Sequence, residues 1–189
     1  MNTALLLIDI QKGLDEHPFY GDHRSNPEAE NNCAVLLNFF RKIGWPVYHV
    51  KHNSINPASP LHDSKPGNEL KDEVKPLLCE KLFEKNVNSA FIGTNLHLEL
   101  INNGIKNLII AGLTAEHCIS TSIRMASNLG FRVILPGDAT ASFSKYDEEG
   151  QLIPADLVQK ITLANLKDEF AEIISTADLL TRLDKKQVV

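Results

Sequence analysis

The segment 107–130 constrains the fold of this chain more than any other, because it changes from strand-like to helix-like spacing within a few residues. Leu108–Ala111 is a short, Ile-rich apolar run, as a strand buried on both faces would be. Gly112 ends this run, and from Glu116 apolar residues recur at helical spacing as far as Gly130, a typical C-cap residue. The pattern predicts a buried parallel strand that leads through a turn into a helix.

Cys118 falls in the first turn of this predicted helix. Free backbone N–H groups and the helix dipole stabilise a thiolate there, which makes Cys118 a candidate nucleophile, although the charge of Glu116 opposes the effect. Cysteine is also often buried as a small apolar side chain, so this position alone leaves a packing role open. Adjacent residues of a helix point about 100° apart, so we expect His117 to be a structural or pocket-rim residue rather than a base for Cys118.

Strands and helices alternate along the whole chain, and its composition fits one buried core. It has 189 residues, of which 43% are hydrophobic, so we expect a single domain over residues 1–189. The alternation predicts an α/β three-layer sandwich with a mostly parallel, doubly wound sheet of about six strands. In such a sheet the first strand, Ala4–Ile8, and the strand that ends at Gly112 are neighbours at the switch point, where ligands bind.

The other elements are predicted from the same periodicities. Further strands are expected at 46–50, 81–85, 131–135 and 171–175, and further helices at 27–43, at 94–103, from Pro154 onward and at 176–183. The helix after Pro154 is expected to bury Leu157, Ile161, Leu163, Leu166 and Phe170. Three stretches without such periodicity are predicted to be loops that line the ligand site, namely 11–27, 53–67 and 142–152.

Charge and cysteine content exclude several classes of function. The chain has 19 basic and 24 acidic residues, a net charge of −5 and no basic stripe, so no nucleic-acid partner is expected. No segment has the length of a membrane span, and the first residues lack the basic region of a signal peptide, so no membrane partner is expected. Cys33, Cys79 and Cys118 are irregularly spaced, which fits a reducing compartment. We therefore expect a cytoplasmic protein that acts on a small molecule.

Two charged residues stand at predicted strand ends. Asp9 follows the first strand, where a carboxylate either binds a ligand or caps the following turn. Lys85 ends another strand and, on composition alone, would be a solvated surface lysine. Phe19 and Tyr20, in the loop after Asp9, either form a wall of a substrate pocket or pack that loop down.

Four motifs, taken in order, resemble those of the isochorismatase-like cysteine hydrolase superfamily, which includes nicotinamidases and other amidohydrolases. They are Leu6–Gln11; Lys85 with Asn88–Phe91 and Gly93–Thr94; Ala111–Thr114 leading to Cys118; and Asp138–Ala141. Each motif is weak alone, but the ordered set spans nearly the whole chain. The resemblance implies an Asp9, Lys85 and Cys118 catalytic triad, and an assembly of two or four copies of the chain.

The resemblance also implies a cis peptide bond at Leu113–Thr114, which would direct the N–H groups of Thr114 and Cys118 into an oxyanion hole. Our candidates for residues that contact the substrate are Phe19, Tyr20, Asn88 and Phe143.

The three triad residues meet the needs of acyl transfer, because they supply an attacking thiol, a carboxylate that moves a proton and a cation. We predict that the chain hydrolyses a C–N bond of a small amide, lactam or carbamoyl compound through a thioester. One alternative is the vinyl ether hydrolysis of true isochorismatases, which generally lack the nucleophilic cysteine. Another is a non-catalytic binding or redox-sensing protein with a reactive Cys118.

No cofactor or metal is expected. Nicotinamidases hold a metal through an Asp-x-His pair and a later histidine, whereas the corresponding residues here, 51–54, contain no carboxylate. A metal site built from His52, His62 and Asp63 is conceivable, but the spacing of these residues is not diagnostic.

Overall fold

The computed structural model describes residues 2–21 and 23–185, so the predicted domain limits, residues 1 and 189, lie outside the described residues. The strands are β1 (Thr3–Ile8), β2 (Val47–His52), β3 (Lys81–Lys85), β4 (Asn107–Leu113), β5 (Arg132–Pro136), β6 (Thr140–Ala141), β7 (Lys145–Tyr146), β8 (Leu152–Ile153) and β9 (Glu172–Ile174). The helices are α1 (His17–Tyr20), α2 (Ala29–Lys42), α3 (Leu96–Asn102), α4 (Ser120–Asn128), α5 (Ala155–Leu166) and α6 (Thr176–Lys185). None of the helices within these ranges has both the length and the apolar character needed to cross a bilayer.

The central sheet has the strand order β3-β2-β1-β4-β5-β9, and all of these strands are parallel. The short strand β6 adds a parallel pair at the end of β4. The order runs outward in both directions from β1 and β4, which are neighbours with Ile8 opposite Gly112. The predicted α/β class and mostly parallel, doubly wound sheet are therefore confirmed, and the switch point lies between β1 and β4.

The apolar run of β1 is explained by burial on both faces of the sheet. Ala4, Leu6 and Ile8 pack in one core with residues of α3 and α4, while Leu5 and Leu7 pack in a second core with residues of α2 and α6. A strand covered on both sides needs apolar residues at consecutive positions, not at alternate ones.

Gly112 lies inside β4, whereas the sequence pattern placed the end of the strand there. Its N–H donates to the carbonyl of Ala139 at 3.0 Å, and its φ is +127°. A Cβ atom at Gly112 would lie 2.0 Å from the carbonyl oxygen of Ile8, the residue before Asp9. Glycine is thus required for the close approach of β4 to the end of β1.

The burial predicted for the helix after Pro154, which is α5, is wrong for two of the five residues named. Leu166 is buried and Leu163 and Phe170 are partly buried, but Leu157 and Ile161 are 44% and 51% exposed. The helix is apolar around much of its circumference, and it packs against the turn Ala115–Ile119, against α4 and against β9 at the edge of the sheet. Sequence periodicity identified the helix but could not determine which of its apolar positions meet the sheet.

Candidate active site

A pocket of about 420 Å³ opens beside the ends of β1 and β4, and all three predicted loops line it. The residues that they contribute are Leu14, Phe19, Tyr20, Ser54, Asn56, Ser59, Leu61, Phe143 and Lys145. Asp9, Asn88, Thr114 and Cys118 also line the pocket. The wall of the pocket therefore contains every site residue predicted from the sequence except Lys85. Lys85 contacts two of these residues from a fully buried position.

Lys85 connects the other two residues of the proposed triad. Its side chain has no exposed surface, and its Nζ lies 2.6 Å from Asp9 Oδ2 and 3.3 Å from Cys118 Sγ. Asp9 is supplied by the end of β1, Lys85 by the end of β3, and Cys118 by the turn after β4. The lysine is therefore not solvated, and its charge is balanced inside the protein by the carboxylate of Asp9.

The two carboxylate oxygens of Asp9 are in different environments. Oδ2 accepts the hydrogen bond from Lys85, whereas Oδ1 is buried and has no hydrogen-bond partner among the described residues. Asp9 has a φ of +55°, a left-handed conformation that aspartate tolerates better than most residues. An unpaired carboxylate oxygen beside a thiol is well suited to accept a proton.

The Cys118 thiol has a pKa above its ordinary range, in contrast to the lowering expected from a helix N-terminus. Burial raises this pKa most, the negative charge of Asp9 raises it further, and the nearby Lys85 opposes both effects. Cys118 also lies in a π-type turn, Ala115–Ile119, rather than in the first turn of a regular α-helix. The resting site therefore holds a neutral thiol beside an Asp9 and Lys85 ion pair.

We expect iodoacetamide to reveal this raised pKa. A thiol that stays protonated at neutral and mildly alkaline pH reacts slowly, because the thiolate is the nucleophile. The exposed thiol of Cys79 should therefore be alkylated well before Cys118 at pH 8, and the rate at Cys118 should still rise above pH 9. Peptide mass spectrometry would measure both rates, and faster labelling of Cys118 than of Cys79 at pH 8 would contradict the prediction.

The segment from Leu113 to Ile119 contains the two residues predicted to form an oxyanion hole, Thr114 and Cys118. The peptide bond Leu113–Thr114 is cis, and both Thr114 and Cys118 line the pocket. Among the described residues, the carbonyl of Thr114 accepts the N–H groups of His117 and Ile119, each at 3.2 Å, but not that of Cys118. The π-type turn thus differs from a regular α-helical turn, in which the N–H of Cys118 would donate to the carbonyl of Thr114.

The aromatic candidates form a wall of the pocket. Tyr20 stacks on Phe143 with ring centroids 5.5 Å apart, and Phe19 meets Tyr20 edge to face at 4.9 Å. Phe143 is 1% exposed, while Phe19 is 46% exposed. The wall therefore has a fixed inner part and a solvent-exposed outer part, and both can pack against an apolar or planar ligand.

Glu116 and Lys145 are pocket residues that the sequence analysis did not assign to the site. Glu116 Oε1 accepts the N–H of Phe143 at 3.4 Å and lies 3.4 Å from Lys145 Nζ. His117 also lines the pocket, which agrees with the second of its two predicted roles, structural or pocket-rim. No motif in the sequence marks Lys145, because it follows β6 in a stretch without periodicity.

The residues at the ends of β1 and β2 do not fit a metal site. Asp9, His52 and Cys118 present donor atoms within 4.8 Å of one another, but Lys85 Nζ lies among them, at 2.6, 3.1 and 3.3 Å respectively. The position that a cation would take is thus filled by an ammonium group. His62 and Asp63 lie in a separate cleft, where His62 bonds Ser64, so the conceivable site with His52 does not form.

Comparison with known proteins assigns this chain to a family of hydrolases. The model of the isochorismatase domain matches residues 3–178, and the chain therefore belongs to the isochorismatase family. The family resemblance inferred from the four sequence motifs is confirmed.

Three relatives illustrate the range of similarity. The isochorismatase family protein YrdC of Bacillus subtilis is 41% identical over 177 residues, which is 94% of each chain. A crystal structure from Chromobacterium violaceum, described as a hydrolase of the isochorismatase family, has a TM-score of 0.92 and 40% identity over 97% of this chain and 94% of its own. Nicotinamidase 3 of Arabidopsis thaliana is 28% identical over 80% of this chain and 79% of its own.

Proposed function

We propose that the chain is a cysteine hydrolase that cleaves a C–N bond of a small amide, lactam or carbamoyl compound through a thioester on Cys118. The observation that carries this proposal is the fully buried Lys85 ammonium, which contacts both Asp9 and the Cys118 sulfur beside a small-molecule pocket. In this arrangement Cys118 is the nucleophile, Asp9 is the proton acceptor and Lys85 is a fixed positive charge beside both.

In the first half-reaction, Asp9 Oδ1 accepts the proton of the Cys118 thiol as the sulfur attacks the carbonyl carbon. The C=O bond becomes an oxyanion, which accepts hydrogen bonds from the N–H groups of Thr114 and Cys118. The protonated Asp9 then donates to the nitrogen as the C–N bond breaks, so that ammonia or an amine leaves. The raised pKa of the thiol requires this coupled proton transfer, because little thiolate is present beforehand.

In the second half-reaction, Asp9 accepts a proton from a water molecule that attacks the thioester carbon. The C–S bond then breaks, the carboxylic acid leaves, and the proton returns from Asp9 to sulfur. Lys85 donates hydrogen bonds to the carboxylate and to the departing sulfur and so stabilises both. The aromatic wall of Phe19, Tyr20 and Phe143, with Asn88 beside the sulfur at 3.8 Å, is proposed to hold the substrate.

Relatives support the C–N bond as the target. Nicotinamidase 3 of Arabidopsis thaliana and N-carbamoylsarcosine amidase of Arthrobacter are both named as amidases. The redox-sensing alternative depends on a standing thiolate, which the raised pKa of Cys118 disfavours. The vinyl ether alternative needs no covalent intermediate, so an acyl adduct on Cys118 in acid-quenched reactions would separate the two hydrolases.

The decisive experiment is a screen of small amides, lactams and carbamoyl compounds, with ammonia release and ring opening as readouts. For any substrate found, Cys118→Ala should lower turnover by more than about 10⁴-fold, as deletion of a nucleophile does in other acyl-transfer enzymes. Cys79→Ala, which removes an exposed thiol remote from the pocket, should keep the full rate. Full turnover by Cys118→Ala would reject the mechanism, and pyruvate release from isochorismate without an adduct would favour the vinyl ether reaction.

We also propose that the chain forms a dimer or tetramer and is cytoplasmic. Exposed apolar side chains on β8 and α5, among them Leu152, Leu157 and Ile161, support an interface between copies of the chain. The free state of Cys33, Cys79 and Cys118 supports a reducing compartment. Light scattering of the purified protein would measure the number of copies.

A further inference from the structure

The Lys85 ammonium has three N–H donors, and three side chains surround it. Besides Asp9 Oδ2 and Cys118 Sγ, its third neighbour is Nδ1 of His52, at 3.1 Å. His52 is the last residue of β2, which lies between β1 and β3 in the sheet. A histidine at the end of the middle strand is therefore positioned to contact the two charged residues at the ends of the flanking strands.

The chemistry of this contact defines the role of the imidazole. An ammonium group can only donate, so Nδ1 of His52 must carry a free lone pair, and the ring is neutral. Burial, followed by the charge of Lys85, lowers the pKa of His52, while the negative charge of Asp9 and a hydrogen bond to the backbone of Val87 partly offset this. The neutral ring with Nδ1 as acceptor is thus the form that the surroundings favour.

The backbone of His52 is fixed by two buried amide side chains. Its N–H donates to Gln11 Oε1 at 2.8 Å, and its carbonyl accepts from Gln11 Nε2 at 3.0 Å and from Asn68 Nδ2 at 3.1 Å. Gln11 is fully buried and Asn68 is 5% exposed. These bonds connect the ends of β1 and β2 to the loop that lines the pocket, and they leave His52 little freedom to move.

We propose that His52 is a positioning residue, whose Nδ1 orients the Lys85 ammonium so that one N–H faces Cys118 and Asp9 Oδ1 stays free. Without this acceptor, the ammonium can turn to bridge both oxygens of Asp9, because Oδ1 has no other partner among the described residues. Such a turn would occupy the oxygen that accepts the thiol proton and withdraw positive charge from the sulfur. This inference rests on the proposed hydrolase function.

The test compares two replacements of His52. His52→Leu removes the acceptor and should lower kcat by about 100-fold, the scale of loss that follows misplacement of a catalytic group. His52→Asn should restore most of kcat, because its Oδ1 lies at the same distance along the side chain as Nδ1 and accepts the same bond. His52→Ala takes the place of the leucine variant if that variant does not fold.

Alkylation of Cys118 by iodoacetamide provides a second readout that needs no substrate. In His52→Leu the pH profile of alkylation should shift to higher pH, because the thiolate loses the N–H of Lys85, whereas His52→Asn should keep the wild-type profile. His62→Leu is the control, since His62 lies outside the pocket and should change neither readout.

Two results would overturn the role of His52. One is a His52→Leu variant with the wild-type kcat and the wild-type alkylation profile. The other is a folded His52→Asn variant that is as impaired as His52→Leu, because the acceptor would then not be the feature that matters. If the wild-type chain hydrolyses no amide, the proposed function fails, while the alkylation profile still tests His52 on its own.

Discussion

Replacement of Asp9 by asparagine should almost abolish hydrolysis while leaving the backbone in place. Asparagine tolerates the φ of +55° at this position and keeps one oxygen for Lys85, but it cannot accept the thiol proton. Loss of a general base typically lowers the rate by about 10²–10⁴-fold, and we expect the upper end, because the proposed mechanism uses Asp9 in both half-reactions. A steady-state assay on a substrate from the screen measures the effect.

The same variant should also be less stable, because Lys85 would stay buried without its counter-charge. Removal of one partner of a buried ion pair costs about 3–5 kcal/mol of the free energy of unfolding. Asp72→Asn is the matched control, because it breaks an exposed pair with Lys75 and should leave both the stability and the activity close to those of the wild type. Urea denaturation measures both variants, and wild-type turnover by Asp9→Asn would exclude Asp9 as the base.

Gly112→Ala should have the largest effect on the fold. The new Cβ would lie 2.0 Å from the Ile8 carbonyl oxygen, which is a backbone atom of the strand paired with β4, and the two paired strands cannot move apart cheaply. We expect a loss of more than about 4 kcal/mol of the free energy of unfolding, the range of the most damaging single substitutions. Turnover should fall too, since the displaced residue precedes Asp9.

Gly130→Ala separates the steric clash from the backbone conformation. Gly130 also has a positive φ, +90°, but a Cβ there would meet no atom within 4 Å. Its substitution should cost only the conformational strain, about 1–3 kcal/mol. Equal losses for the two variants, by urea denaturation or by soluble yield, would show that the contact with Ile8 does not matter.

The sequence was enough to predict where the residues of the proposed triad lie, because their positions depend on the topology of a parallel sheet. Asp9 and Lys85 end strands that run in the same direction, and Cys118 follows a third, so alternation of strands and helices already brings them to one edge. The family motifs selected these residues from the other acids, lysines and cysteines. Neither the alternation of strands and helices nor the family motifs indicate which side chain donates a hydrogen bond to which.

The rest of the site depends on contacts between distant segments. The sequence indicated His52 only as a conceivable metal ligand, whereas its contact with Lys85 depends on β2 lying between β1 and β3. The close approach of Gly112 to Ile8 likewise follows from sheet pairing, which periodicity does not specify. The π-type turn at Cys118 adds one residue to a helical turn, and no residue pattern distinguishes it from a regular helix start.

The lysines of the site have a consequence for which molecules the pocket attracts. Lys85 offsets Asp9 and Lys145 offsets Glu116, so these four charges at the pocket cancel in pairs. A balanced pocket produces little field beyond its mouth, and the net charge of −5 on the chain repels anions at a distance. Uncharged molecules therefore enter the pocket at rates that are set by diffusion and shape and are largely independent of ionic strength. Selection among them then depends on their contacts inside the pocket.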